Sequence, residues 1–425
     1  MAVSANPLAR ELETDVLERF LRYVHVDTPA VYDSGTYPSS PKQLDLSRLL
    51  ADELRDLGLD DVEVTEHGYV LATLPAVQAD DAPTVGLIAH VDTSPDAPGE
   101  NVSPQVWRDY DGGELRLPGD PGQILSPETS SLLAERIGHD IVTSDGTTLL
   151  GADDKAGVAE IMAVAAYLLA TPGIPHGRIR IGFTTDEEVG HGTDHFDLER
   201  FGADFAYTLD GSTVGEIENE TFSAIALSVT FRGRGVHPGT AKDKLVNSIK
   251  LAAAFVSSLP KDELSPETTE DREGFVHPGR IEGGGEATTV HLIVRDHEWD
   301  LLQEHVALVE RLAQETVGGV PGASVDVTQE VQYRNMRDTL EQHPRIVEAA
   351  EEAARRVGLE PVLGSIRGGT DGSRLTEMGL PTPNLYTGGN EYHSLREWIS
   401  VQDMAISAAT VVELLRVWAE PDWRT

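Results

Sequence analysis

Val85-Gly86-Leu87-Ile88-Ala89 is a continuous apolar run that ends on His90-Val91-Asp92. A strand without polar alternation is buried on both faces, the mark of a central strand in a parallel sheet. Two further runs read the same way. Arg178-Ile179-Arg180-Ile181-Gly182-Phe183-Thr184 ends on Thr185-Asp186-Glu187-Glu188-Val189-Gly190, and Ala206-Tyr207-Thr208-Leu209 ends on Asp210-Gly211. Between the first run and these lies Gly151-Ala152-Asp153-Asp154-Lys155-Ala156-Gly157, followed by a helical run, 158–169, that is apolar nearly all round and therefore buried. Working outward, amphipathic helices are expected over 10–25 and 44–57, with Gly58 as a stop, and short strands over 61–65 and 69–74. Residues 94–143 read as loop-rich. This alternation predicts an α/β fold: a mostly parallel sheet with helices on both faces.

The pattern changes near residue 221. A strand over 222–231, a helix over 245–259, strands over 276–282 and 287–295, a helix over 299–316 and a strand over 324–332 follow in turn. That order, βαββαβ, predicts a self-contained α+β unit of ferredoxin-like type, inserted at 221–336 into a first domain made of 1–220 and 337–425. After it come a helix over 344–357, a glycine-rich loop, a short strand over 382–386 and a last helix over 401–418.

Composition narrows the function classes. A chain of 425 residues exceeds one ordinary core, consistent with two domains. The net charge of −39 argues against a nucleic-acid partner, whose binding needs a basic surface. No apolar run is long enough for a membrane span. Met1-Ala2-Val3-Ser4-Ala5-Asn6-Pro7 lacks the charged and apolar regions of a signal peptide, and there are no cysteines, which together give the expectation of a cytoplasmic protein. The scarcity of lysine reads as a high-arginine genome; adaptation to high salt is the alternative, to be recognised by an unfolding midpoint that climbs steeply with salt.

The chemistry gathers at strand ends. His90, Asp153, Glu188 and Asp210 each lie at the C-terminal end of a strand or at the start of the next helix, the edge where open α/β sheets bind ligands. His393 also follows a strand. Taken singly, each has a plain reading: a core histidine, a helix-capping aspartate, a solvated acidic turn, an Asp-Gly turn. Together, two imidazoles and three carboxylates suit zinc, cobalt or manganese in N/O coordination. Three carboxylates around one ion is an odd use of charge, whereas around two ions, with Asp153 between them, each metal receives three ligands. Paired metals of this kind are a hydrolytic device.

The stretches His90-Val91-Asp92-Thr93-Ser94-Pro95-Asp96, 148–157, Thr185 to Gly190, Tyr207 to Gly211, Val236-His237-Pro238-Gly239-Thr240-Ala241-Lys242, Ile366 to Gly372 and Gly388 to His393 resemble the motifs of peptidase T, the tripeptide aminopeptidase family. This family belongs to the two-zinc exopeptidase clan that includes carboxypeptidase G, and the resemblance covers nearly the whole chain. It implies two zinc ions per subunit, with cobalt or manganese as substitutes: His90 and Asp210 on one, Glu188 and His393 on the other, Asp153 bridging. It further implies Glu187 as general base, Asp92 as orienter of the His90 imidazole, and a cis peptide between Asp153 and Asp154.

By the same resemblance, His237 would stabilise the oxyanion, and Asn247, Arg295 and Arg367 would contact substrate, with closure about residues near 221 and 335. A structural salt bridge is the alternative for either arginine. The implied activity is release of the N-terminal residue from tripeptides. A related dipeptidase, carboxypeptidase or N-deacylase, or a metal-binding protein without catalysis, are the alternatives. The expected partners are small peptides, with no membrane partner, and the expected assembly is a monomer or homodimer.

Overall fold

The computed structural model of the chain describes residues 6–424; residues 1–5, which carry most of the stretch read above for a leader, and residue 425 lie outside them. The chain divides into two compact units. One runs up to Asn219 and includes Asp338–Gly364 and the chain from Thr370 onward; the other is Glu220–Arg337 with Ser365–Gly369. The second piece of that unit departs from the boundary read in the sequence, for two local reasons. Phe222 N donates to Ile366 O at 3.0 Å, and Gly369 lies so close to the Tyr333 ring that a Cβ there would meet it at 2.5 Å.

The first unit is built on an eight-stranded sheet in the order Glu63–Val64, Val70–Leu74, Ile179–Thr184, Val85–His90, Phe205–Gly211, Asn384–Tyr386, Glu216–Thr221, Val362–Ile366. Ile179–Thr184, Val85–His90, Phe205–Gly211 and Asn384–Tyr386 run parallel to their neighbours within this central group. Val85–His90 and Ile179–Thr184 are buried at every residue, as unbroken apolar runs require. The flanks are antiparallel, so the sheet is mixed: Glu63–Val64 and Val70–Leu74 form a hairpin, and Glu216–Thr221 pairs antiparallel with Asn384–Tyr386.

Helix Ala152–Ala170 packs on Val85–His90 and Phe205–Gly211, and helices Pro7–Val24 and Val401–Ala419 pack around it. Its approach to the sheet depends on Gly157, where a Cβ would lie 2.0 Å from Leu209 O. A separate cluster joins Leu71, Ile88 and Ala206 to Phe201, Leu375 and Leu380. The first helix starts earlier than its periodicity indicates because Asn6 caps it, its Oδ1 accepting from Ala9 N at 3.0 Å.

The stretch read as loop-rich holds short strands. Gln105–Trp107 and Ile141–Thr143 pair antiparallel with each other, Trp398–Ser400 adds to Ile141–Thr143, and Gly389–Asn390 adds to Trp398–Ser400. Strands of two or three residues are too short to show a period, which is why the sequence reads as loop.

The second unit has the ferredoxin-like order. Ser223–Arg232, Phe275–Gly283, Ala287–Asp296 and Ser324–Tyr333 make one antiparallel sheet, with Ser223–Arg232 and Ala287–Asp296 at its centre. Burial alternates residue by residue along Ala287–Asp296, the period-2 signature of a sheet with one covered face. Helices Ser248–Ser258 and Trp299–Val317 cover that face, with Phe231, Phe255, Val294, Leu302 and Val309 at the core. No helix among the described residues is long and apolar enough to cross a membrane.

Candidate metal centre

Because the four central strands are parallel, their C-terminal ends share one edge of the sheet. His90 is the last residue of its strand and Asp210 the penultimate residue of Phe205–Gly211. Glu187–Val189 is a single 3-10 turn just beyond Ile179–Thr184. Asp153 stands at the irregular start of helix Ala152–Ala170, and the Asp153–Asp154 peptide is cis. His393 follows Gly389–Asn390 and has a left-handed φ of 58°.

These five residues converge, and Asp153 is their centre. Its Oδ1 lies 3.0 Å from His90 Nε2 and its Oδ2 lies 3.2 Å from His393 Nε2. His90 Nε2 is also 3.6 Å from Asp210 Oδ1, and His393 Nε2 is 3.0 Å from Glu188 Oε2. One carboxylate therefore faces two separate imidazoles, each with its own second acid. The neighbouring Asp154 is also within reach of His90 and Asp210, but its oxygens are taken: Oδ2 accepts from His90 N at 3.1 Å and Oδ1 from Gly157 N at 3.3 Å. The two adjacent aspartates thus part company, one open and one bound to backbone.

Asp92 has a wider reach than orienting an imidazole. Its backbone carbonyl is 3.1 Å from His90 Nδ1, with its own Oδ1 at 3.4 Å from the same nitrogen. Its carboxylate mainly accepts from Glu187 N at 3.2 Å and Glu188 N at 3.1 Å, and so holds the turn that carries both glutamates.

The electrostatics are those of crowded acids. Burial pushes the Glu188 carboxyl up to about 8, with Asp153 adding to it, and pushes Asp210 up to about 6. Burial likewise raises Glu187 well above the ordinary carboxylate range, with Asp210, Asp371 and Glu188 contributing. Burial opposes ionisation of Asp153 too, but hydrogen bonds from His393 and His90 outweigh it and hold that group low. His393 is pushed up to about 11 by its hydrogen bonds to Asp153 and Glu188. Neighbouring acids that hold protons against one another are a site a cation would relieve.

The donor set fits divalent metals with N/O preference: imidazole nitrogens and carboxylate oxygens, and no thiol in the chain. Glu188 Oε1 is buried with no hydrogen-bond partner, an acceptor without a donor in the middle of the cluster. Both observations match a metal centre better than a set of caps and core histidines.

Several supporting groups have no local sequence signal. Buried Glu397 accepts from Leu150 N at 2.7 Å and Gly151 N at 2.8 Å through Oε2, and from Asp153 N at 3.0 Å through Oε1. It cradles the backbone that aims Asp153. Asp371, inside the glycine-rich motif but given no role from sequence, accepts from Thr184 Oγ1 at 2.6 Å. Lys155 is buried and donates through Nζ to Val26 O at 2.7 Å.

The four residues expected to touch substrate all lie in the second unit. His237 Nδ1 accepts from Gly239 N at 3.1 Å. Asn247 is the N-cap of helix Ser248–Ser258, its Oδ1 accepting from Ile249 N and Lys250 N. Arg295 donates through Nη1 to Arg367 O at 3.3 Å, while its buried Nε has no partner. Arg367 donates to Asp271 O and Thr269 Oγ1, and its guanidinium lies over the Phe222 and Phe275 rings.

Residues 145–417 match peptidase family M20/M25/M40. The chain is 47% identical over 409 residues to peptidase T of Exiguobacterium sp., covering 96% of this chain and 99% of that protein. It is 46% identical over 405 residues to peptidase T of Clostridium perfringens, covering 95% and 99%. The crystal structure of aminopeptidase PepT from Bacillus cereus superposes with a TM-score of 0.73 at 28% identity, covering 96% of this chain and 99% of that one. The chain belongs to peptidase family M20/M25/M40, among its peptidase T members, and is a hydrolase of the aminopeptidase kind.

Proposed function

We propose that this chain is a two-zinc aminopeptidase that releases the N-terminal residue from tripeptides in the cytoplasm. His90 and Asp210 would hold one ion, Glu188 and His393 the other, and Asp153 would reach both, with cobalt or manganese as substitutes. The observation that carries this reading is the division of Asp153, whose two oxygens face different histidines. A bound metal pair supplies Lewis acidity toward a peptide carbonyl and acidifies water. Glu187 shares the turn of Glu188, and adjacent side chains on a turn diverge. One can therefore serve a metal while the other takes a proton from the attacking water and returns it to the departing amine. Asp92 keeps that turn in place by accepting both glutamate amides.

His237 would stabilise the oxyanion, and Asn247, Arg295 and Arg367 would hold polar groups of the peptide. The unpartnered Nε of Arg295 supports a role for that guanidinium, and the capping of Asn247 through Oδ1 leaves its amide nitrogen for substrate. The test is a panel of di-, tri- and tetrapeptides, free or N-acetylated, assayed alongside measured zinc content. Cleavage of free tripeptides with two zinc ions per chain is expected. Hydrolysis of N-acetylated peptides with free tripeptides untouched would overturn the substrate assignment.

A further inference from the structure

We infer that Gln43, acting with Ser39 on Asp186, is a positioning residue that sets the directions of Glu187 and Glu188. This rests on the reading of Glu187 as the base. Asp186 immediately precedes the two glutamates, is 1% exposed and has a left-handed backbone, φ 63° and ψ 26°. Aspartate visits that region more readily than most residues, but it needs local hydrogen bonds to stay there.

Those bonds come from a distant part of the chain. Gln43 is fully buried, and its amide grips Asp186 at two points: Nε2 donates to Oδ1 at 2.7 Å, and Oε1 accepts from the Asp186 backbone N at 3.2 Å. Ser39 donates to the same carboxylate through its backbone N at 2.6 Å and also through its hydroxyl. A reciprocal amide pair of this kind fixes both the rotamer of Asp186 and the peptide plane before it. Both grips survive only if donor and acceptor are both present on residue 43.

The same segment reaches the other catalytic loop. Ala30 N donates to Thr93 O at 2.9 Å, Thr93 N donates to Thr28 O at 2.9 Å, and Gln43 Nε2 also lies 3.3 Å from Pro29 O. Tyr37 OH sits 3.3 Å from Thr185 O and 3.0 Å from His191 O, at the two ends of the turn. Asp92 holds the Glu187 and Glu188 amides from the His90 side. Between these anchors, Gln43 and Ser39 together restrain rotation at Asp186.

The experiment uses the full chain loaded with zinc. Gln43→Glu keeps the shape but sets a carboxylate against that of Asp186; Gln43→Met keeps the volume and removes both hydrogen bonds without adding charge. Combining Gln43→Glu with Asp186→Asn restores a donor–acceptor pair in reverse. The readouts are kcat and KM on a tripeptide, zinc affinity by chelator competition, the visible spectrum of the cobalt-substituted protein and the thermal midpoint. A misplacement of order 1 Å at a catalytic group costs about 100-fold. Gln43→Glu is expected to lose about that much kcat with KM within about twofold and an altered cobalt spectrum. Gln43→Met should lose about 10-fold, and the double variant should recover about 10-fold over Gln43→Glu.

Wild-type kcat in Gln43→Met, or a loss accounted for by unfolded protein, would overturn the inference. So would a double variant no better than Gln43→Glu. Glu187→Gln serves as the separate check. If it turns over peptides, the base assignment fails, whereas the cobalt spectra of the Gln43 variants still report the position of Glu188.

Discussion

Replacing Glu397 with glutamine probes the support of the centre without touching any residue proposed to hold metal. The carboxylate takes three backbone N–H groups, two on Oε2 at 2.7 and 2.8 Å and one on Oε1 at 3.0 Å. Glutamine offers only one oxygen. Turned toward Leu150 and Gly151, it leaves an NH2 group facing Asp153 N, donor against donor. A hydrogen bond to a charged group contributes about 1.5–3 kcal/mol, and a buried donor left unsatisfied costs about 1–3 kcal/mol. Allowing for the backbone to relax, Glu397→Gln is expected to lose about 2–4 kcal/mol. Burial pushes the Glu397 carboxyl up to about 7, so the comparison belongs at about pH 8, where the carboxylate is charged. Urea unfolding of the chelated protein reads the stability. Because the displaced amide is that of Asp153, zinc affinity by chelator competition should also fall by about 10- to 100-fold. A variant within about 1 kcal/mol of wild type, with unchanged zinc affinity, would refute the cradle.

Glu187→Gln should leave zinc content intact and abolish turnover, read by metal analysis and peptide hydrolysis on one preparation; preserved turnover would sink the proposed base. Gly157→Ala adds a Cβ 2.0 Å from Leu209 O and 2.5 Å from Asp154 Oδ1. The helix must back away from the sheet, so a loss of about 1–3 kcal/mol by urea midpoint is expected together with reduced activity. His139 titrates at about 4 rather than 6.5, because burial and nearby Arg136 oppose its protonation. The unfolded chain therefore binds the proton first, and this residue removes stability as pH falls from about 6.5 to about 4. His139→Asn should show a shallower decline of the urea midpoint across that window; parallel curves would refute it.

What the sequence made legible follows from the range of the forces involved. Val85–His90 and the alternating strand Ala287–Asp296 declare their burial residue by residue, and the ferredoxin-like order follows from such elements. His90, Asp153, Glu188 and Asp210 were visible because parallel strands bring their ends to one edge. The flank strand Glu216–Thr221 carries no apolar pattern in the sequence, its acids recurring at every second residue; burial pushes Glu218 up to about 8. Val362–Ile366 was hidden similarly, being short and next to the glycine-rich loop. Glu397 carries no local pattern because its partners lie more than 240 residues away. Gln43 and Asp186, 143 residues apart, are illegible for the same reason.

The cradle around Asp153 also fixes when the centre can come into being. Leu150, Gly151 and Asp153 are translated long before Glu397, and Asp153 long before His393, its second imidazole; the separations are 247, 246, 244 and 240 residues. Until those later residues emerge, the loop has neither its acceptor nor the second imidazole against Asp153. On the proposed assignment, a growing chain would therefore stay inert toward the peptides around it, and hydrolytic competence would arrive as a late event of synthesis.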